Sequence, residues 1–190
     1  MSSIDPAVEV IAALESLGVP YMLVGSYASN AYGIPRSTQD ADFVVILKDD
    51  ALTRIVEKLG NRFSLDPQIS FESVTGTTFY TLLVPSEAFR VELFVLNDDE
   101  HYQDCFRRKV RITLLGQSAW LLSAEDLIVT KLRWCSRINR PKDLDDVQGV
   151  MAVQAAALDW TYIRNWCGRH GTTTLLDECR ETLRDRGIDV

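Results

Sequence analysis

Asp40 and Asp42 are the residues whose types and spacing most directly suggest chemistry. They open the apolar run Phe43-Val-Val-Ile-Leu47, which reads as a buried strand. Side chains two apart on a strand share a face, so the two carboxylates converge. Two like charges held together are costly, and a hard divalent cation with oxygen ligands is the usual remedy. Just upstream, the apolar stretch Tyr21 to Val24 predicts another strand, ended by Gly25. A glycine there lets the chain turn sharply and lets a ligand approach the backbone. Ser26 stands at an expected helix start, where its hydroxyl can cap and free N–H groups favour an anion. Phosphate donors beside metal-binding carboxylates are the equipment for moving a nucleotide.

Three further groups could join them. Glu92 is the lone acid in Phe89-Arg-Val-Glu-Leu-Phe-Val-Leu96, and a buried carboxylate needs a partner. Arg90 is one such partner, and the alternative is that Glu92 faces solvent. Lys131 lies between Leu127 and Ile128 one helical turn earlier and Trp134 and Cys135 one turn later. A lysine on such an apolar face must snorkel or meet a negative charge, either a phosphate or an acid such as Asp143. In Arg140-Pro-Lys-Asp-Leu-Asp-Asp-Val147, Asp143 falls within the apolar face of the expected helix, Asp146 at its edge, and Asp145 away from it. The first-turn position of Asp143 also suits the helix dipole. From Lys131 to Lys142 the charged residues are all basic, with Arg133, Arg137 and Arg140 between. That segment suits a triphosphate or an RNA backbone, or simply faces solvent. Arg107-Arg108-Lys109 with Arg111 forms a weaker patch. Cys167-x-x-His170 with Cys179 is too incomplete for a zinc site.

The elements that must position these groups read as follows. An amphipathic helix, Ile4 to Leu17, leads into the first strand. A second helix spans Ala51 to Leu59. Strands follow over Ser70 to Val74, Thr77 to Val84 and Phe89 to Leu96, then a short helix from His101 to Arg108 and a strand from Val110 to Leu115. Composition changes at Ser123, where Ser123-Ala-Glu-Asp126 resembles a capping box. Helices are expected from Ala124 to about Ser136, from Pro141 to about Ala157, from Asp159 to about Cys167, and from Thr172 to Arg186. The expected class is α/β (α+β), a small mixed sheet flanked by helices over residues 1–122, followed by a helical part over 123–190. Net charge is −7, so any contact with a polynucleotide must be local. Four scattered cysteines without a Cys-x-x-Cys pair suggest reduced thiols in a cytoplasmic protein. No apolar run approaches the roughly 18 residues of a membrane span.

Taken in order, Gly25-Ser26, Ala28, Gly33, Arg36, Thr38, Asp40 and Asp42 between two apolar strands resemble the signature of the nucleotidyltransferase fold superfamily, the DNA polymerase beta-like group. The fuller pattern is similar to small bacterial transferases of the minimal and AbiEii-like toxin type. The motifs Ser123-x-Glu-Asp-Leu-x-x-x-Lys131-Leu and Arg140-x-Lys-Asp143-x-x-Asp146 resemble the C-terminal helices of that group. The resemblance covers roughly residues 20 to 150. It implies transfer of a nucleoside monophosphate from an NTP such as ATP to an acceptor hydroxyl, with Mg²⁺ or Mn²⁺. Asp40, Asp42 and Glu92 would hold the metal, although the superfamily usually has Asp where this chain has Glu92. Gly25, Ser26, Arg36, Thr38 and Lys131 would bind the nucleotide. Glu92 or one of Asp143 and Asp146 would assist in activation. It further implies a tRNA end or a protein hydroxyl as acceptor, and an antitoxin as partner. Two alternatives stand beside it: an aminoglycoside-modifying type of small-molecule transferase, and a non-catalytic nucleotide-binding or antitoxin-like module.

Overall fold

The computed structural model describes residues 4–138 and 140–190. The chain divides into two compact units, one of residues 1–27 with 37–121, the other of residues 28–36 with 122–190. The composition change at Ser123 carries no signal for the short segment 28–36, which groups with the C-terminal helices.

The first unit begins with α1 (Pro6–Leu17). It starts at Pro6 rather than Ile4 because Asp5 is its cap, accepting from the Ala7 N–H at 2.8 Å. Gly18 in the left-handed conformation ends it. Then follow β1 (Tyr21–Leu23), α2 (Gly25–Tyr32), β2 (Asp40–Val45) and α3 (Ala51–Leu59). Helix α2 includes Gly25, so Ser26 lies inside its first turn rather than before it. Residues 25–27 of α2 count with the first unit and residues 28–32 with the second. The strands β3 (Ser64–Leu65), β4 (Ser70–Glu72), β5 (Thr77–Val84) and β6 (Phe89–Val95) come next, then α4 (Glu100–Arg108), β7 (Val110–Leu114) and β8 (Gln117–Leu121).

All eight strands form one mixed sheet in the order β3-β5-β6-β2-β1-β8-β7, with β4 also paired to β5. The pairs β2–β6 and β1–β8 are parallel and the others antiparallel. Two strands escaped the sequence. β3 is two residues held only by its pairing with β5. β8 begins with the polar Gln117-Ser118 and is strand because it pairs with both β1 and β7. Alternation on β2 sends Ala41, Phe43 and Val45 fully into the core. Val10, Ile11 and Leu14 of α1 and Ile55 of α3 are likewise fully buried. Helix α1 packs on α3 and against β6 and β8.

In the second unit, α5 (Ala124–Ile138), α6 (Pro141–Gln154), α7 (Trp160–His170) and α8 (Thr173–Asp185) form the helical body. Ser123 caps α5 as expected: its Oγ accepts the Asp126 N–H at 3.2 Å and donates to the Asp126 carboxylate at 2.7 Å. The stretch Ala155–Ala157, expected as the end of α6, is a separate 3₁₀ turn. Asp159 caps α7, which runs past Cys167 to His170 because left-handed Gly171 stops it. Leu127, Ile128, Leu132, Val147, Val150 and Met151 are buried to 1% exposure or less. All four cysteines are buried thiols. Among the described residues, no helix is long and apolar enough to cross a membrane.

Candidate active site

The first unit presents a carboxylate face on its sheet. Asp40 and Asp42 lie two apart on β2 and share the face opposite Ala41 and Phe43. On the parallel neighbour β6, Glu92 is in register with Asp42, and Arg90 with Asp40. Register partners on paired strands have their Cβ atoms on the same face, so Glu92 joins the two aspartates. On its other side Glu92 is in register with Thr81 of β5. Asp40 is further defined by Thr38, whose hydroxyl donates to Asp40 Oδ1 at 2.5 Å. The backbone of the same strand is tied to the turn beyond β1, since the Val24 N–H donates to the Asp42 carbonyl at 2.8 Å.

Gly25 explains why the turn and the carboxylates belong together. Its φ is +59°, and a Cβ placed on it would overlap Asp42 Oδ2 and lie 2.9 Å from Asp42 Cγ. Only a residue without a side chain lets the turn and the Asp42 carboxylate approach this closely. The donor set is three hard oxygen ligands on one sheet face, which fits Mg²⁺ or Mn²⁺ and not a soft, thiolate-seeking ion.

The second unit contains a buried charged cluster. Lys131 on α5 is 8% exposed and Asp143 and Asp146 on α6 are 3% and 8% exposed. Lys131 Nζ lies 3.0 Å from Asp143 Oδ1 and 2.8 Å from Asp146 Oδ2. The spacing of three residues puts both aspartates on one face of α6. Arg36 grips Asp146 with two bonds, Nε to Oδ1 and Nη2 to Oδ2, each 3.0 Å. Ser29 Oγ donates to Asp146 Oδ2 at 3.3 Å. Arg140 Nε stands 3.4 Å from Asp143 Oδ2, with its guanidinium over the Trp134 ring. Arg36 is delivered by the segment after α2: Asn30 accepts its N–H at 2.9 Å and donates to its carbonyl at 2.7 Å. Gly33 makes this path available, since a Cβ there would press on the Val150 nitrogen at 3.0 Å.

Burial alone would raise the Asp146 carboxyl. The hydrogen bonds from Arg36 and Lys131 outweigh burial and hold its pKa down at about 2. The sign of the linkage follows: the folded value lies below the unfolded one. Asp146 therefore contributes stability above roughly pH 4, about 2 kcal/mol, and loses it as pH falls towards roughly 2. We expect Asp146→Asn to be less stable than wild type in urea unfolding at neutral pH, with the gap closing as pH drops through that interval. A gap independent of pH would show that the charge of Asp146 is not what stabilises the cluster.

Of the residues singled out by sequence, Gly25, Ser26, Thr38, Asp40, Asp42 and Glu92 belong to the first unit. Arg36, Lys131, Asp143 and Asp146 belong to the second. Lys131 does sit amid Leu127, Ile128 and Cys135, and its charge is met by both candidate aspartates. Ser29 and Asn30 were missed. Their sequence signal is faint, two small polar residues within a short Gly/Ser/Asn-rich helix, and their partners are set by the fold.

No family model matches the sequence, and no curated protein is similar to it at the sequence level. Solved structures are similar in fold. The antibiotic-resistance factor ANT(2'')-Ia superposes with a TM-score of 0.59 at 14% identity, covering 90% of this chain and 91% of that one. An antigenic nucleotidyltransferase-like protein from Paracoccidioides brasiliensis gives 0.54 at 19% identity, covering 97% and 92%. The lincomycin-bound lincosamide antibiotic adenylyltransferase LnuA gives 0.53 at 10% identity, covering 80% and 99%. With its mixed sheet, its carboxylate face and these structural neighbours, the chain has the nucleotidyltransferase fold.

Proposed function

We propose that the protein is a divalent-metal-dependent nucleotidyltransferase that moves a nucleoside monophosphate from an NTP to an acceptor hydroxyl. The observation that carries this is the register of Asp42 with Glu92, with Asp40 two residues back and side-chain-free Gly25 against the Asp42 carboxylate. Asp40, Asp42 and Glu92 are the residues that would hold Mg²⁺ or Mn²⁺. When bound, such an ion supplies neutralising charge for the triphosphate. The backbone of Gly25 and Ser26 at the start of α2 offers N–H groups to phosphate oxygens. The acceptor oxygen bonds to the α-phosphorus as the bond to the bridging α–β oxygen breaks, and pyrophosphate leaves. Phosphoryl chemistry of this kind asks mainly for alignment and charge neutralisation.

The acceptor proton is assigned to Glu92. Asp146 is a poor base at neutral pH because Arg36 and Lys131 stabilise its anion. Asp143 is engaged by Lys131 and Arg140. The sequence resemblance alone assigns Lys131 and Arg36 to the nucleotide; within the second unit each is already paired with an aspartate. An RNA end is one acceptor class, supported by Arg137 and Lys142 of the basic segment, since Lys131 and Arg140 are already paired with aspartates; a protein hydroxyl rests on the sequence resemblance. The toxin role and an antitoxin partner rest on the sequence resemblance alone. A second acceptor class, a small antibiotic-like molecule, is favoured by two neighbours: ANT(2'')-Ia has been solved with adenylyl-2''-tobramycin and LnuA with lincomycin.

Incubating the protein with Mg²⁺ and α-³²P-labelled NTPs, in the presence of cell RNA, cell protein or aminoglycosides, identifies the acceptor by where label appears. Wild type should transfer label and release pyrophosphate, and Asp42→Asn should not. Tight Mg–NTP binding without pyrophosphate release for any acceptor would instead make the protein a nucleotide-binding module.

A further inference from the structure

Helix α2 depends on tertiary contacts to hold its first turn against the sheet. It is eight residues long, Gly-Ser-Tyr-Ala-Ser-Asn-Ala-Tyr, and helices this short are marginal without tertiary support. Its first residue, Gly25, sits in the left-handed region. Yet this turn is the one that lies against the Asp42 carboxylate. Something must fix it.

The Tyr27 side chain supplies the link. Tyr27 is 7% exposed, and its hydroxyl lies 2.9 Å from both carboxylate oxygens of Asp5. Asp5 is at the same time the cap of α1, accepting the Ala7 N–H at 2.8 Å. Its carboxylate is therefore held by one helix while it grips the first turn of another. The start of α1 is anchored in turn by Arg62, which donates to the Ile4 carbonyl at 2.8 Å and pairs with Glu9 and Glu87. Burial, then the negative charges of Asp5 and of Asp40, push the Tyr27 phenol far above its ordinary range. At neutral pH it is a neutral donor.

We propose that Tyr27, held by Asp5, is a positioning residue that sets the Gly25–Ser26 turn against the Asp40/Asp42 face. The consequence for nucleotide binding rests on reading that turn as the phosphate seat. The clasp itself does not. Loss of the phenol hydroxyl frees the first turn of α2 to move while leaving the ring in the core. The phosphate-facing N–H groups are then no longer pre-aligned, and binding of the triphosphate weakens rather than the fold failing.

The experiment is Tyr27→Phe, read in two ways. Amide hydrogen exchange followed by NMR should be at least about tenfold faster over Ala28 to Tyr32, whose N–H groups donate back into the first turn, with α3 and the β2–β6 amides unchanged, as expected when a hydrogen bond to a charged group is lost. Calorimetric titration with Mg–ATP should show a dissociation constant raised by roughly tenfold for the same reason. Asp5→Asn keeps an acceptor for both Ala7 and Tyr27 and should recover most of the protection. Exchange over Ala28 to Tyr32 that matches wild type overturns the proposal. So does acceleration spread evenly over the first unit, which marks a merely structural contact. If the wild type binds no Mg–ATP, the phosphate-seat reading falls, and the exchange result alone still decides whether the clasp fixes the turn.

Discussion

Replacing Lys131 with methionine should lower the stability of the protein by about 3 kcal/mol or more, because it leaves two buried carboxylates without their shared cation. Asp143 and Asp146 are 3% and 8% exposed, and Lys131 Nζ bridges them at 3.0 and 2.8 Å. Arg36 still neutralises Asp146, and Arg140 still lies near Asp143, so the loss falls short of stripping both charges bare. For a chain of this size the change corresponds to roughly 6–12 °C in melting temperature. Thermal unfolding followed by circular dichroism measures it. The control is Lys131→Met combined with Asp143→Leu, which removes one charge of each sign and should regain part of the loss. A single variant that melts with wild type would mean that Lys131 is not needed to balance the aspartates.

Substituting Gly25 with alanine should be equally damaging and should act on the site more than on the core. The new Cβ would overlap the Asp42 carboxylate, so one of the two must move. The φ of +59° adds strain, since a left-handed non-glycine residue costs about 1–2 kcal/mol. The carboxylate is the softer party, because Asp42 is anchored through its backbone to Val24. We expect Gly25→Ala to stay folded with reduced stability and to lose Mn²⁺ or Mg²⁺–NTP binding. Calorimetry and paramagnetic broadening by Mn²⁺ would both read the loss. Gly18→Ala is the matched control. It also has positive φ, +64°, but a Cβ there meets nothing within 4 Å, so it should carry the strain without affecting the ion. Equal metal binding by the two variants would separate Gly25 from the site.

The carboxylate face was legible in the sequence because its determinants are local. Alternation along a strand put Asp40 and Asp42 together, and the solitary Glu92 in an apolar strand required a partner. That it lies in register with Asp42 is a property of the β2–β6 pairing, which no local pattern specifies. On α6 the helical period placed Asp143 within the buried face and left Asp145 exposed, and both hold. The capping residue Ser123 was readable for the same reason, since a cap acts on N–H groups two or three residues away. Gly18 and Gly60 marked the ends of α1 and α3 where expected, whereas the end of α7 at Gly171 and the 3₁₀ turn after α6 were placed differently.

What only the tertiary structure decided is which charges meet. The sequence determined that Lys131 sits on an apolar face and needs a negative partner; it left open whether that partner is a phosphate or an aspartate. The fold supplies two aspartates, and it brings Arg36 and Ser29 to Asp146 across 110 and 117 residues of chain. It likewise joins Tyr27 to Asp5. Periodicity dictates the direction in which a side chain leaves its own element, because that is fixed by local backbone geometry. An ion pair or a buried hydrogen bond depends on two directions and a distance, and the distance exists only once the elements within each unit have packed.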